Sequence, residues 1–290
     1  MLALPARVGY VREPFNFEYG MAGVTTYFPY VEAGVPEEKH YRELIGSLLD
    51  GTAMFKKLPP ATATSLGQRL GRSLFRGGSA FSYLVATRDP RVKRLLIKDP
   101  LAALASEYFL REFDSSVVVI MRHPGATVAS MKRLGWGHDF SGLTSQKELM
   151  KDFLNPVLEG YKTDKLSQLE EQALLWVCIN TVLAEFMKRN PQMIFIKHED
   201  LSTDPEAELE KIYTKLGLPF TEKVRTQIRS HTGAANPAEA TDNRTHVLRR
   251  NSKEMLGRWK SALTPEEIRR VREITGPLAA KYYDDESWAP

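Results

Sequence analysis

The chain has 290 residues, with 40 Lys and Arg against 36 Asp and Glu and a formal net charge of +4. That length admits one large α/β domain or two small ones, and the composition is that of an ordinary globular chain with ample material for a core. The slight basic excess fits an anionic small ligand and gives no ground for nucleic acid as a partner, while a single cysteine, Cys178, excludes an intramolecular disulfide and a multi-cysteine zinc site.

Arg7–Val11 reads as a strand that runs into Arg12-Glu13-Pro14-Phe15-Asn16. Pro14 bars Glu13 from the helical region, so Glu13 falls in an extended or turn segment at the strand's end. A carboxylate at that edge is either a general base or half of a salt bridge. Residues 17–36, rich in aromatics and glycine without a period, read as a loop capping a pocket. Glu37–Leu49 reads as a helix with Leu44, Ile45, Leu48 and Leu49 on one stripe. A second helix is expected within Ser65–Phe75, broken by Gly77-Gly78. That glycine pair lacks the Lys-Ser or Lys-Thr and the spacing of a phosphate loop.

Arg94–Lys98 is the next expected strand. Asp99 and Pro100 then serve as N-cap and first position of a helix striped by Leu101, Leu104, Ala105, Tyr108 and Phe109. Lys98 at the strand's end either faces a site or pairs with Asp99. Val117–Ile120, four apolar residues without polar alternation, is the pattern of a strand buried on both faces. It leads through Met121, Arg122 and His123 into Pro124 at the head of a helix that reaches Leu134. Ligands of parallel sheets sit where strand ends meet helix starts. A free helix N-terminus and an arginine make an anion site there. Ser130 lies roughly 9 Å beyond Pro124, about two turns on. Arg122 and Ser130 therefore either hold one phosphate along the helix flank, or pair locally and pack in a groove.

His138-Asp139 has no spaced partner and is not read as a metal or acid–base site. Residues 141–168 read as irregular helix and loop, and Leu169–Met187 as a long core helix containing Trp176 and a buried, inert Cys178. Met193–Lys197 is another apolar strand. Glu199 just beyond it either binds ligand or holds a loop by accepting backbone hydrogen bonds. Asp204-Pro205 starts a helix that Gly217 ends. Residues 232–243 read as a mobile loop. The basic run Arg244–Lys253 is either a solvated face or a loop closing on a phosphate. Thr264-Pro265-Glu266-Glu267 caps a last helix running to about Lys281. No apolar run is long enough for a bilayer span and no signal-peptide pattern opens the chain, so a cytoplasmic protein without membrane association is expected.

Several of these segments, taken together, resemble one family. RHPGATVASMKRLGW is similar to the segment by which sulfotransferases dependent on 3′-phosphoadenosine 5′-phosphosulfate (PAPS) bind the donor's 3′-phosphate, with Arg and Ser eight apart. KHEDL followed by DP and a helix ending LGLP, IKDP before a helix, and LRRNS…GRWK…LTPEEI also look like that family, and the likeness is strongest to bacterial members of its carbohydrate-type branch. It covers roughly residues 7–288, which implies a single domain over 1–290. The implied fold is α/β, a P-loop-NTPase-like three-layer arrangement with a central parallel sheet flanked by helices. The implied reaction moves a sulfuryl group from PAPS to a hydroxyl or amine of a carbohydrate or small-molecule acceptor, without a metal. By position, Arg122 and Ser130 would bind the 3′-phosphate, Arg250 and Ser252 in the closing loop would assist, and Glu13 would be the catalytic carboxylate.

One departure stands out. The family opens with a strand and an RSGTT-like phosphate-cradling loop, and no such string occurs here. Either the start lies inside the first helix of a longer protein, or the loop is lost, with weak or absent transfer expected in the second case. Two other readings remain open: a non-catalytic nucleotide- or anionic-glycan-binding protein, and a kinase-like phosphotransferase, against which the missing Walker-type loop argues.

Overall fold

The computed structural model describes residues 1–5, 7–57, 78–233, 236 and 256–289. The helix expected within Ser65–Phe75, and the basic run with Arg250 and Ser252, lie outside these. The described chain is α/β, with helices and parallel strands. It divides into two compact units: Met1–Ser115 with Ser141–Leu149, and Ser116–Phe140 with Met150–Pro290.

In the first unit, β1 (Val8–Arg12) pairs in parallel with β2 (Arg94–Lys98), Val8 opposite Arg94 and Arg12 opposite Lys98. Because the two strands run in parallel and in register, their carboxyl ends share one edge. A further ladder bond, Glu13 N–H to the Lys98 carbonyl at 2.9 Å, carries the pairing one residue past β1. The core beneath gathers Val11, Phe15, Tyr41, Ile45, Leu48, Phe55, Tyr83 and Phe109. Helix α1 (Glu38–Asp50) matches the expected span, but its buried stripe is Tyr41, Ile45 and Leu48, and Leu49 is 44% exposed. Helix α2 (Gly78–Arg88) escaped the sequence reading. Its buried positions are Ser79, Tyr83 and Ala86, while Phe81 and Val85 are exposed, so the bulky apolar residues mark the outer face and conceal the period. Asp99 caps the next helical segment as expected: its side chain accepts the Leu101 N–H, Pro100 takes the first position, and a 3₁₀ stretch (Pro100–Ala105) runs into α3 (Ser106–Glu112).

Residues 17–36 hold no helix or strand beyond a single bridge between Met21 and Phe55. Gln146 fastens this loop, accepting from Tyr30 N–H at 2.7 Å and donating to the Phe28 carbonyl at 3.2 Å. Val31, Glu32 and Ala33 line a shallow surface hollow together with Tyr108 and Arg111.

In the second unit, β3 (Val118–Met121) pairs in parallel with β4 (Ile194–Lys197). Helix α4 (Pro124–Arg133) follows β3, and α5 (Gln168–Arg189) crosses back toward β4. Ser167 opens α5 with a reciprocal capping box to Glu170. After β4 come α6 (His198–Thr203), α7 (Pro205–Lys215), α8 (Glu222–Thr232) and α9 (Pro265–Ala279). Helix α9 packs on α4 and α5. The Arg270 guanidinium on α9 also donates twice to Glu170.

Burial of the strands on both faces is not what the structure holds: Ile120 is 52% and Phe195 37% exposed. Among the described residues the ladder is two strands wide, and a run of β-branched residues reports strand preference rather than the layer that covers it. No helix among the described residues is long and apolar enough to cross a membrane.

Candidate functional site

Arg122 follows directly on β3, and two groups fix its backbone. Trp176 of α5 donates its indole N–H to the Arg122 carbonyl at 2.9 Å, and Glu199, just past β4, accepts the His123 N–H at 3.0 Å. The other Glu199 oxygen accepts from the Tyr283 hydroxyl at 3.1 Å. Of the two roles open to Glu199, the structure shows the loop-holding one. The Arg122 charge reaches His123, His198 and Tyr283. Burial first, and then Arg122, hold the His198 imidazole below its ordinary value.

The start of α4 differs from the free N-terminus that was expected. His123 is the N-cap, and its Nδ1 accepts the Gly125 N–H at 3.2 Å. With Nδ1 accepting, the proton sits on Nε2, which faces Ser287 Oγ at 3.4 Å. The ring is stacked on Trp259 at 4.6 Å and enclosed edge-on by Trp288 and Tyr283. Burial, with the charges of Lys260 and Arg122, pushes His123 down to about 4, so it is neutral at physiological pH. Gly125 lies under Trp259 so closely that a Cβ there would meet the indole at 2.5 Å. The helix start is thus occupied by the protein's own side chains. An anion at this place would rely on Arg122 and the flank of α4. Ser130 is on that flank, half-buried, seven residues past the N-cap, which at 3.6 residues per turn returns to within about 20° of the same side.

The shared edge of β1 and β2 carries a second cluster. Glu13 is 6% exposed and sits at φ +44°, a left-handed turn conformation rather than an extended one; Pro14 excludes the right-handed helical region, and the chain takes the other turn geometry. Its Oε1 accepts from Lys98 Nζ at 2.8 Å, and its Oε2 accepts from the Tyr19 hydroxyl. Lys98 therefore pairs with Glu13, not with Asp99: the register sets Lys98 opposite Arg12, and Glu13 follows at a positive-φ turn with its carboxylate 2.8 Å from the Lys98 ammonium. Burial alone would raise the Glu13 pKa. The hydrogen bonds from Lys98 and Tyr19, with the charges of Lys98 and Arg12, outweigh it and hold the carboxyl below its ordinary value. Asp99 next door shows the opposite balance: burial pushes it up to about 7, against hydrogen bonds from Phe15 N–H at 2.6 Å and Leu101 N–H at 2.9 Å. Tyr19 is pushed well up by burial and by Glu13.

Sequence reasoning located Arg122, Ser130, Glu13 and Lys98 at strand ends and helix starts. It did not foresee the bond from Tyr19 to Glu13, the Phe15–Asp99 latch or the aromatic enclosure of His123, whose rings come from residues distant in the chain and carry no local signature. His138 is half-buried and pushed down to about 4 by loss of hydration, in ring contact with Phe140. Among the described residues no cluster of His, Cys, Asp and Glu is arranged to hold a metal ion. Cys178 is buried and pushed up to about 12, an inert thiol.

A family model described as "Sulfotransferase domain" matches residues 95–283, a stretch that includes Lys98, Arg122, Ser130 and Glu199 but not Glu13. No curated protein matches the chain. Among solved structures, a sulfotransferase domain from the curacin biosynthetic pathway aligns at TM-score 0.39 and 14% identity, over 71% of this chain and 72% of that one. The mouse sulfotransferase SULT7A1, complexed with PAP, aligns at TM-score 0.39 and 15% identity, over 97% of this chain and 86% of that one.

Proposed function

Since the chain belongs to the sulfotransferase domain family, we propose that it moves a sulfuryl group from PAPS to a hydroxyl or amine of a carbohydrate or small-molecule acceptor. In this reading the protein is of the bacterial, carbohydrate-type branch, works in the cytoplasm and uses no metal. Its residues form one P-loop-like three-layer domain, a view supported by a family match that draws on both compact units. The observation that carries the reading is the setting of Arg122: a cation at a strand end, its backbone held by Trp176 and its loop by Glu199, with the Ser130 hydroxyl two turns along the helix that follows.

These groups suit a phosphate. A guanidinium offers paired donors to phosphate oxygens, and a hydroxyl adds a third. Arg122 and Ser130 would bind the donor's 3′-phosphate, assisted by Arg250 and Ser252. Glu13, ionised at neutral pH, would take the acceptor's proton as its oxygen attacks sulfur. The sulfur–oxygen bond to the donor breaks as the new one forms, and positive side chains stabilise the departing phosphate, as in phosphoryl transfer.

A second reading is a binding protein without chemistry. It is favoured by one observation: both Glu13 oxygens are already engaged by the protein, as in a structural ion pair. Two measurements separate the readings. Adenosine 3′,5′-bisphosphate should raise the melting temperature of the intact protein, and Arg122→Ala should abolish the rise; no rise in the wild type would overturn the sulfotransferase reading and any nucleotide-binding form of the second. Sulfur-labelled PAPS offered with a panel of sugars, amino sugars and phenols should yield labelled product, whereas binding without product would favour the second reading.

A further inference from the structure

The edge where β1 and β2 end is built more firmly than a chance salt bridge requires. The turn after β1 is closed on itself. Asn16 N–H donates to the Glu13 carbonyl, Gly20 N–H to the Asn16 carbonyl, and Met21 N–H to the Pro14 carbonyl. The Asn16 side chain accepts from the N–H groups of Glu18 and Tyr19. Gly20 has no room for a side chain: a Cβ would lie 2.3 Å from the Pro14 carbonyl oxygen. Asp99, from the end of β2, accepts the Phe15 N–H and locks this turn to the neighbouring strand. The outcome is a fixed triad. Lys98, 46% exposed, holds one Glu13 oxygen from the solvent side, and the Tyr19 phenol donates to the other.

A phenol donating to a carboxylate has the geometry of an acceptor hydroxyl about to yield its proton to a general base. We propose that Lys98 and Tyr19 are positioning residues that act through Glu13: Lys98 aims the carboxylate and keeps it ionised, and the Tyr19 hydroxyl occupies the seat on Oε2 that the acceptor's hydroxyl takes in the reaction. The inference rests on the reading of Glu13 as the base. In the step, the acceptor O–H gives its proton to Glu13 Oε2 and its oxygen forms the bond to sulfur. The bond from sulfur to the donor's phosphate oxygen breaks, and its electron pair leaves with the phosphate. Lys98 stays on Oε1 throughout, and Glu13 afterwards returns the proton to water. Tyr19 on Oε2 thus competes with the acceptor for that oxygen's lone pairs, which disfavours groups that cannot donate a hydrogen bond to a carboxylate.

Water is an acceptor that needs no identification, so the test is protein-dependent hydrolysis of sulfur-labelled PAPS to sulfate by the full chain. Glu13→Gln should lower the rate by about a hundredfold or more, the usual contribution of a general base. Lys98→Met should move the acidic limb of the pH–rate profile to higher pH, in step with the Glu13 carboxyl carbon followed by NMR and assigned through Glu13→Gln. Tyr19→Phe, which clears the seat, should hydrolyse the donor severalfold faster than wild type. An acidic limb that stays in place while the carboxyl titration moves would overturn the role of Lys98. A Tyr19→Phe rate at or below wild type would overturn the role of Tyr19 and stands as a separate check should Lys98→Met fail to fold. Absence of hydrolysis in the wild type would overturn the whole inference. The bisphosphate melting shift distinguishes these failures from failure of the sulfotransferase reading itself, since it requires Arg122 and not the triad.

Discussion

Glu199 shows how one carboxylate can hold a site without entering it. It accepts a backbone N–H from His123 and a hydroxyl from Tyr283, and so ties the loop after β3 to the C-terminal segment. Truncation to alanine leaves a part-buried N–H without its acceptor, a loss of about 1–3 kcal/mol. Glu199→Ala is therefore expected to lower the unfolding free energy measured by urea titration by an amount in that range, and Glu199→Gln, which keeps one carbonyl oxygen, to recover much of it. Equal loss in both variants would mean that the negative charge, rather than the backbone bond, is what matters. This role was one of two open to Glu199 from sequence, and the choice between them depended on the His123 N–H, 76 positions away.

At the scale of elements, the head of α4 is a closely packed joint. His123 caps the helix, Trp259 covers Gly125, and Trp288 and Tyr283 close the ring around the imidazole. Glycine inside a helix costs up to about 1 kcal/mol relative to alanine, so Gly125→Ala would be stabilising if the helix stood alone. Here the added methyl meets the Trp259 ring at 2.5–2.9 Å, and overpacking of a buried aromatic typically costs about 1–3 kcal/mol. The second effect wins: Gly125→Ala is expected to lower the melting temperature, and a rise would show that Trp259 yields easily. The Pro at position 124 and the helix it opens were legible in the sequence. The enclosure was not, because three of its rings lie more than 130 residues further on and belong to no periodic stripe.

Across the whole molecule, one buried and two half-buried histidines set the response to acid. His123 and His138 are each pushed from an ordinary 6.5 down to about 4 by burial, and His198 is lowered by burial too. The unfolded chain takes up a proton on each as pH falls below 6.5, while the folded chain refuses it. The stability they contribute is present above pH 6.5 and is lost as pH falls toward 4, at up to about 1.4 kcal/mol per pH unit per histidine. Asp99, raised from 3.8 to about 7, works in the opposite sense, its contribution being lost as pH rises toward 7. Three histidines against one aspartate leave a net loss on acidification. Unfolding free energy measured between pH 6.5 and 4.5 is expected to fall, and His138→Gln to flatten the slope; an unchanged slope would place that imidazole in contact with water.

What the sequence determined by itself was local. Pro100, Pro124 and Pro265 mark where strands or turns give way to helices, Asp99 and Thr264 cap theirs, and apolar runs place the four described strands to within a residue or two. These features arise from φ restriction, side-chain caps and short-range periodicity, which act over a few residues and can be read there. Tertiary structure decided which groups meet: Lys98 with Glu13 across 85 positions, Asp99 with Phe15, Trp176 with Arg122, and the rings around His123. Such pairings follow from strand register and from the packing of distant segments onto one core. The same residues in the same order would be compatible with other partners until the chain is closed.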